Sequence, residues 1–242
     1  MKKQMRGLIK KGRDMKLFID DGDIAAIKEL CEFYPIDGVT SNPSILTKVE
    51  GDPLENLRRI RETIGEDKLI FAQTVAESYE GILKDAYLIK EVLGENTIVK
   101  IPSNPVGFKA MMALKKEGIK TCGTVVYTPM QAYLAAKAGA CYVAPYINRI
   151  DNLGYDGVAT VKKIQDIFDN NNMDCQILAA SFKNSQQVLE LCEYGVGSAT
   201  CSVDVIRGFV KNACIDDAIA AFTKDFAAKT GKRSLSELKK AE

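Results

Sequence analysis

The run L-I-F-A-Q-T-V at Leu69–Val75, the stretch E-S-Y-E-G-I-L-K-D-A-Y-L-I-K-E-V-L at Glu77–Leu93 and the run T-I-V-K-I-P at Thr97–Pro102 read together as strand, helix, strand. The outer two are short and rich in β-branched and apolar residues. The middle one repeats apolar residues at three- and four-residue spacing, as a helix with one buried face does. Two strands joined through such a helix run parallel, so this segment is one repeat of a parallel sheet.

The same alternation extends in both directions. Strands are expected at Lys16–Asp20, Gly38–Thr40, Leu69–Val75, Thr97–Pro102, Thr121–Tyr127, Cys141–Tyr146, Gln176–Ser181 and Ser198–Ser202, each followed by a helical pattern. Eight consecutive units without a break in composition point to an α/β protein closed as a single (β/α)8 TIM barrel, with an open doubly wound sheet as the alternative. The first strand, L-F-I-D, leads straight into D-G-D without a glycine-rich phosphate loop, which disfavours a dinucleotide fold. Residues 15–242 read as the barrel domain, ending in a helix with apolar spacing over Ile215–Ala228. Residues 1–14 carry six basic side chains and little periodicity, so they read as an appended solvated extension or as sequence ahead of a true start at Met15.

Composition excludes several kinds of chemistry. Among 242 residues there is no histidine, which removes Ser-His-Asp and Cys-His catalysis, imidazole metal sites and the commonest general base. Lys and Arg total 33 against 32 acidic residues, so the basic excess that nucleic-acid binding needs is missing. No apolar run is long enough to span a membrane. Seven dispersed cysteines without a C-x-x-C pair read as reduced, buried thiols of a cytoplasmic protein, and no metal or organic cofactor is expected.

A strand of a closed parallel barrel is apolar on both faces, so its polar residues are where chemistry is sought. These are Asp20, Gln73, Lys100, Thr124, Tyr146 and Ser181, with Thr40 and Asn42 at the end of the second run. Alternation groups Asp20 with Phe18, Gln73 with Phe71, Lys100 with Ile98, Thr124 with Cys122, Tyr146 with Ala144 and Ser181 with Ala179, all facing the interior. An inward Lys100 cannot reach water by snorkelling, and desolvation favours its neutral amine, a nucleophile for a carbonyl carbon. The alternative is a structural lysine paired with Asp20. S-N-P, at Ser41–Pro43 and Ser103–Pro105, reads as helix initiation.

Seven motifs in order, L-F-I-D-D-G-D, G-V-T-S-N-P-S, I-F-A-Q, I-V-K-I-P, G-T-V-V-Y, Y-V-A-P-Y-I-N-R-I-D and L-A-A-S-F-K, give the chain a resemblance to the transaldolase family over about residues 15–230. It looks most like the small fructose-6-phosphate aldolase branch. The resemblance implies a Schiff-base lysine on the fourth strand, matching Lys100, a proton-handling Asp20, and contacts from Thr40 and Asn42 to a dihydroxyacetone unit. It implies a water positioned by Gln73, Thr124 and Tyr146, and a substrate phosphate held by Arg149 and Ser181, with Lys183 where related enzymes often carry arginine. Gln73 stands where typical transaldolases have glutamate. The implied activity is reversible cleavage of a ketose phosphate such as fructose 6-phosphate to dihydroxyacetone and glyceraldehyde 3-phosphate. Transfer of the dihydroxyacetone unit between sugar phosphates is the near alternative, and a non-catalytic sugar-phosphate-binding barrel the distant one. The resemblance also implies a homo-oligomer, of which a decamer with exchanged C-terminal helices is one form.

Overall fold

A computed structural model describes residues 14–238, so all but the last residue of the basic N-terminal stretch lies outside the described residues. The strands are β1 (Lys16–Asp20), β2 (Gly38–Thr40), β3 (Leu69–Gln73), β4 (Thr97–Pro102), β5 (Thr121–Val126), β6 (Tyr142–Pro145), β7 (Gln176–Ala179) and β8 (Ser198–Cys201). They pair in parallel in sequence order, and β1 pairs with β8 to close the barrel, which excludes the open sheet. The helices between them are α1 (Ile24–Phe33), α2 (Pro43–Leu46), α3 (Pro53–Ile64), α4 (Tyr79–Leu93), α5 (Pro105–Lys116), α6 (Pro129–Lys137), α7 (Ile147–Asp151), α8 (Gly157–Asn170) and α9 (Ser185–Tyr194), and α10 (Val203–Gly208) follows β8. The chain divides after Ile206 into two compact units. The second contains α11 (Ala213–Thr230) and a 3-10 turn at Leu235–Leu238, and α11 has no buried residue.

Local chemistry accounts for the elements. In α4 the Ser78 hydroxyl accepts from Gly81 N–H, Ile82, Ala86, Ile89 and Leu93 form the buried stripe, and Gly94 ends the helix with a positive φ. Both S-N-P segments do initiate helices: the Asn42 and Asn104 side chains accept from Ile45 N–H and Gly107 N–H, each followed by proline at the first helical position. β3 and β5 stop two residues and one residue before their expected ends, where side-chain acceptors take the amides. Val75 and Ala76 N–H donate to the Asp85 carboxylate, and Tyr127 N–H to Gln131 Oε1.

Two apolar layers form. Val99 and Ile101 of β4 join the layer between sheet and helices, whereas Phe18, Phe71, Ile98, Cys122, Tyr142, Ala144 and Leu178 fill the barrel. Phe18, Phe71 and Tyr142 meet edge to face at 5.2 Å, each pair adding about 1 kcal/mol beyond burial. Alternation thus orients β1, β3, β4, β5 and β6 as expected. In β7 the expected phase is reversed: Leu178 is the interior residue and Ala179, expected to face inward, lies in the outer layer. Ser181 follows the strand with a φ of 62°, and alternation does not carry across that turn.

At the N-terminal end of the strands the buried Arg61 donates to the carbonyls of Leu93, Gly65, Lys68 and Asn96 at 2.7–3.1 Å, joining the loops that enter β3 and β4. The opposite end is left to the polar residues.

Candidate active site

Lys100 lies inside the barrel with 4% of its surface exposed. Its ammonium donates to the Ser41 carbonyl at 2.9 Å, and among the described residues it forms no ion pair. The structural pairing with Asp20 is therefore not what seats it. The acceptor is oriented by the second strand's exit: Asn42 and Pro43 start α2, Ser41 N–H donates to Phe71 O, and the Ser41 carbonyl is left for Lys100. A main-chain carbonyl has no sequence signature, which is why this partner escaped the reading of side chains.

Asp20 ends β1 opposite Thr40, the last residue of β2. Thr40 Oγ1 donates to Asp20 Oδ1 at 2.6 Å and lies 2.6 Å from Thr200 Oγ1 on β8. Burial raises the Asp20 pKa above the usual carboxylate range, against the lowering effects of Lys100 and the Thr40 hydrogen bond. Asp20 does not cap α1. That role falls to Asp23, which accepts from Ala25 and Ala26 N–H, while Asp21 accepts from Gly22 and Asp23 N–H.

Gln73 ends β3 in register with Lys100, and among the described residues its buried Oε1 has no protein partner. On the other side of β4, Thr124 Oγ1 of β5 and the Tyr146 hydroxyl are 2.8 Å apart. They meet at an irregularity between β5 and β6, where Val125 adopts a φ of 59°. This conformation is costly for a β-branched residue. Gln131 secures it, accepting from Tyr127 N–H and donating to the Ser103 and Val125 carbonyls.

Arg149, in α7, lies over the Tyr146 ring at 4.7 Å from its centroid. It is not paired with Asp151, whose carboxylate instead accepts from Gly157 N–H and the Gln187 amide. Arg149 lines a cleft of about 400 Å³ with Tyr127, Asn152 and Leu153. A second cleft, about 790 Å³, has Asp20, Ile45, Lys48, Arg59 and Ser202 among its walls; Lys100 lines neither. Lys183 is exposed in the β7–α9 connection, and no side-chain hydrogen bond joins it or Ser181 to the other site residues among those described.

The structure thus brings Lys100, Asp20, Thr40, Gln73, Thr124, Tyr146 and Arg149 to one end of the barrel, and Thr200 belongs with them. The signal for Thr200 was in S-A-T-C: it shares a face with Ser198, opposite to Ala199 and Cys201 of the outer layer. Burial raises the thiols of Cys141 to about 11 and Cys201 to about 12, which leaves them protonated at neutral pH. Among the described residues no three Cys, Asp or Glu side chains converge as a metal-ligand set.

Comparison with known proteins matches residues 17–241 to the family described as transaldolase/fructose-6-phosphate aldolase. Among solved structures, a native KDPGal structure aligns with a TM-score of 0.52 and 14% identity over 78% of this chain and 82% of that one. A flavocytochrome b2 variant with pyruvate bound aligns with a TM-score of 0.58 and 12% identity, over 78% of this chain and 57% of its own. Another variant of that protein gives 0.57 and 10%, over 79% and 57%. At these identities the likeness concerns the fold.

Proposed function

The chain belongs to the transaldolase/fructose-6-phosphate aldolase family, and from that premise we propose that it is a class I aldolase cleaving a ketose phosphate such as fructose 6-phosphate into dihydroxyacetone and glyceraldehyde 3-phosphate. The observation that carries this reading is the seat of Lys100: an amine buried in the barrel, donating to a neutral carbonyl and, among the described residues, in no ion pair.

In this reading the Lys100 amine adds to the C2 carbonyl of the ketose, and loss of water gives a protonated imine. The C4 hydroxyl gives up its proton, the C3–C4 bond breaks, and its electron pair moves into the imine to form an enamine, releasing the aldehyde. Reprotonation at C3 and hydrolysis return dihydroxyacetone and the free lysine. Asp20 and Tyr146 handle the protons, while Gln73, whose amide does not titrate, orients a water with its unpartnered Oε1. Thr40 and Asn42 contact the dihydroxyacetone unit. Arg149, Ser181 and Lys183 receive the phosphate, consistent with the passage from buried Lys100 to exposed Arg149 and Lys183. Borohydride added with dihydroxyacetone should trap an adduct on Lys100, located by mass spectrometry. Turnover without such an adduct would refute the mechanism and leave a different chemistry; binding without turnover or adduct would mean a non-catalytic barrel.

The choice between aldolase and transaldolase rests on whether water or a sugar resolves the dihydroxyacetone imine. If Tyr146 helps place the water that hydrolyses the dihydroxyacetone imine, beyond the proton steps that both activities share, Tyr146→Phe is expected to lower dihydroxyacetone release about tenfold more than transfer to an acceptor aldose phosphate, which needs no hydrolysis. Gln73→Glu should raise the transfer-to-release ratio. Equal losses in both activities, or a wild type that releases no dihydroxyacetone without acceptor, would favour transaldolase.

Asn42 and Asn104 make a paired test, because both cap helices after S-N-P but only Asn42 is assigned to substrate. Each Asn→Ala change should cost about 1 kcal/mol of stability. Only Asn42→Ala should also lower kcat/KM, by about tenfold or more. Equal kinetics in both variants would reduce Asn42 to its cap.

We also read the protein as a cytoplasmic homo-oligomer. Support comes from α11, whose Ile215, Ile219 and Phe222 share one face and are 45%, 58% and 73% exposed, an apolar stripe suited to a second copy. Among the described residues no helix is long and apolar enough to cross a membrane.

A further inference from the structure

The hydroxyls of Thr40 and Thr200 form a short chain ending on Asp20. Thr40 Oγ1 is 2.6 Å from Asp20 Oδ1 on one side and 2.6 Å from Thr200 Oγ1 on the other. Thr40 is fully buried and Thr200 is 2% exposed. A hydroxyl has one proton to donate, so the chain runs in one of two directions. With Asp20 ionised, Thr200 donates to Thr40 and Thr40 donates to the carboxylate. With Asp20 protonated on that oxygen, the carboxyl donates to Thr40, Thr40 donates to Thr200, and the Thr200 proton must find another acceptor. Among the described residues the Thr200 hydroxyl makes its side-chain hydrogen bond to Thr40 and to no other protein group. The reversed chain leaves a buried donor unsatisfied, whereas the forward chain leaves only a lone pair, which is less costly.

We propose that Thr200 is a positioning residue that, acting through Thr40, holds Asp20 as a carboxylate and fixes the oxygen it presents to the reaction. This rests on the reading of Asp20 as a proton-handling group of a class I aldolase. Thr200 touches no reacting atom. The other charged or titratable groups acting on Asp20 are Lys100 on β4 and Arg149 on α7, which favour the carboxylate, and Asp21, which opposes it; Cys201 on β8 also interacts with it. Burial opposes the carboxylate most. The threonine chain is thus a source of compensation that bears on Asp20 and adds no charge to the pocket.

The sign follows. A proton taken on the other carboxyl oxygen leaves the forward chain standing, so the general cause is cooperative: the Thr200 donor polarises Thr40 and strengthens its bond to the Asp20 carboxylate, and removing the Thr200 hydroxyl weakens that bond and raises the Asp20 pKa. Thr200→Val keeps the volume and deletes the hydroxyl, while Thr200→Ser keeps the hydroxyl. In the apo protein, the Asp20 side-chain carboxyl, labelled with ¹³C and assigned with Asp20→Asn, should titrate about half a unit to one unit higher in Thr200→Val, and within about 0.2 units of wild type in Thr200→Ser. The acid limb of kcat should move upward by the same amount, with KM changed by less than about twofold. Rates are normalised to the amount of protein trapped at Lys100 by borohydride and dihydroxyacetone, so a mere loss of folded protein does not imitate the effect. Should Thr200→Val not fold, Thr200→Ala puts the same question with the same outcomes. An Asp20 titration unmoved by Val or Ala, or moved equally by Ser, overturns the assignment. The carboxyl titration is independent of turnover: a wild type that cannot be trapped at Lys100 defeats the aldolase reading, while an unmoved titration in a wild type that can be trapped defeats only the role of Thr200.

Discussion

Lys100→Arg should reduce turnover of the ketose phosphate by about 10⁴-fold or more and abolish the borohydride-trapped adduct. The argument separates charge from nucleophilicity. A guanidinium can still donate to the Ser41 carbonyl, to which the Lys100 ammonium donates. It stays protonated throughout the accessible pH range, however, and offers no lone pair to a carbonyl carbon. Lys100→Met supplies the complementary control, with a similar length and no charge in a site that is 4% exposed. The measurements are single-turnover rates, intact mass after reduction, and thermal unfolding to establish that each variant is folded. Folded variants that retain more than about one-hundredth of the activity, or wild-type protein whose adduct maps to another lysine, would remove Lys100 from the centre of the mechanism.

How much of this site was visible in the sequence depends on which kind of atom does the work. Lys100, Gln73 and Thr124 could be found because each interrupts an apolar strand, and alternation then assigns a face. Register pairs Gln73 with Lys100, and Thr124 meets Tyr146. Barrel closure was legible for the same reason, since the strand–helix alternation repeats eight times. Alternation lost its force where the backbone leaves the extended region. Ser181, at a φ of 62°, lies beyond the last residue to which β7 parity applies, and Val125, at 59°, sits in an irregular stretch that no residue preference announces. The Ser41 carbonyl was invisible because every residue has one. Thr200 was overlooked for another reason: threonine is common in strands, and only its 2.6 Å approach to Thr40 distinguishes it from packing.

The second large effect is expected at Arg149. Its guanidinium lies over the Tyr146 ring beside a cleft of about 400 Å³ and is not paired with Asp151, so a planar fork of donors is available to an anion. If that anion is the substrate phosphate, Arg149→Met should lower kcat/KM for the ketose phosphate by roughly 30- to 100-fold, mostly through KM. An unphosphorylated ketose should lose no more than about threefold, because it never made the contact. Arg149→Lys should fall between the two, since an ammonium supplies the charge without the two-pronged geometry. Inorganic phosphate offers a probe free of the chemical step: it should inhibit wild type competitively against the ketose phosphate, and inhibit Arg149→Met at least tenfold more weakly. The control lies in the Tyr146 ring, which Arg149 covers. If Arg149→Met lowers turnover of phosphorylated and unphosphorylated ketoses alike, the arginine acts by holding Tyr146 in place against Thr124 and the phosphate is read elsewhere, with Lys183 the next residue to replace. Selective loss on the phosphorylated substrate alone is the result that identifies Arg149 as the group reading the phosphate.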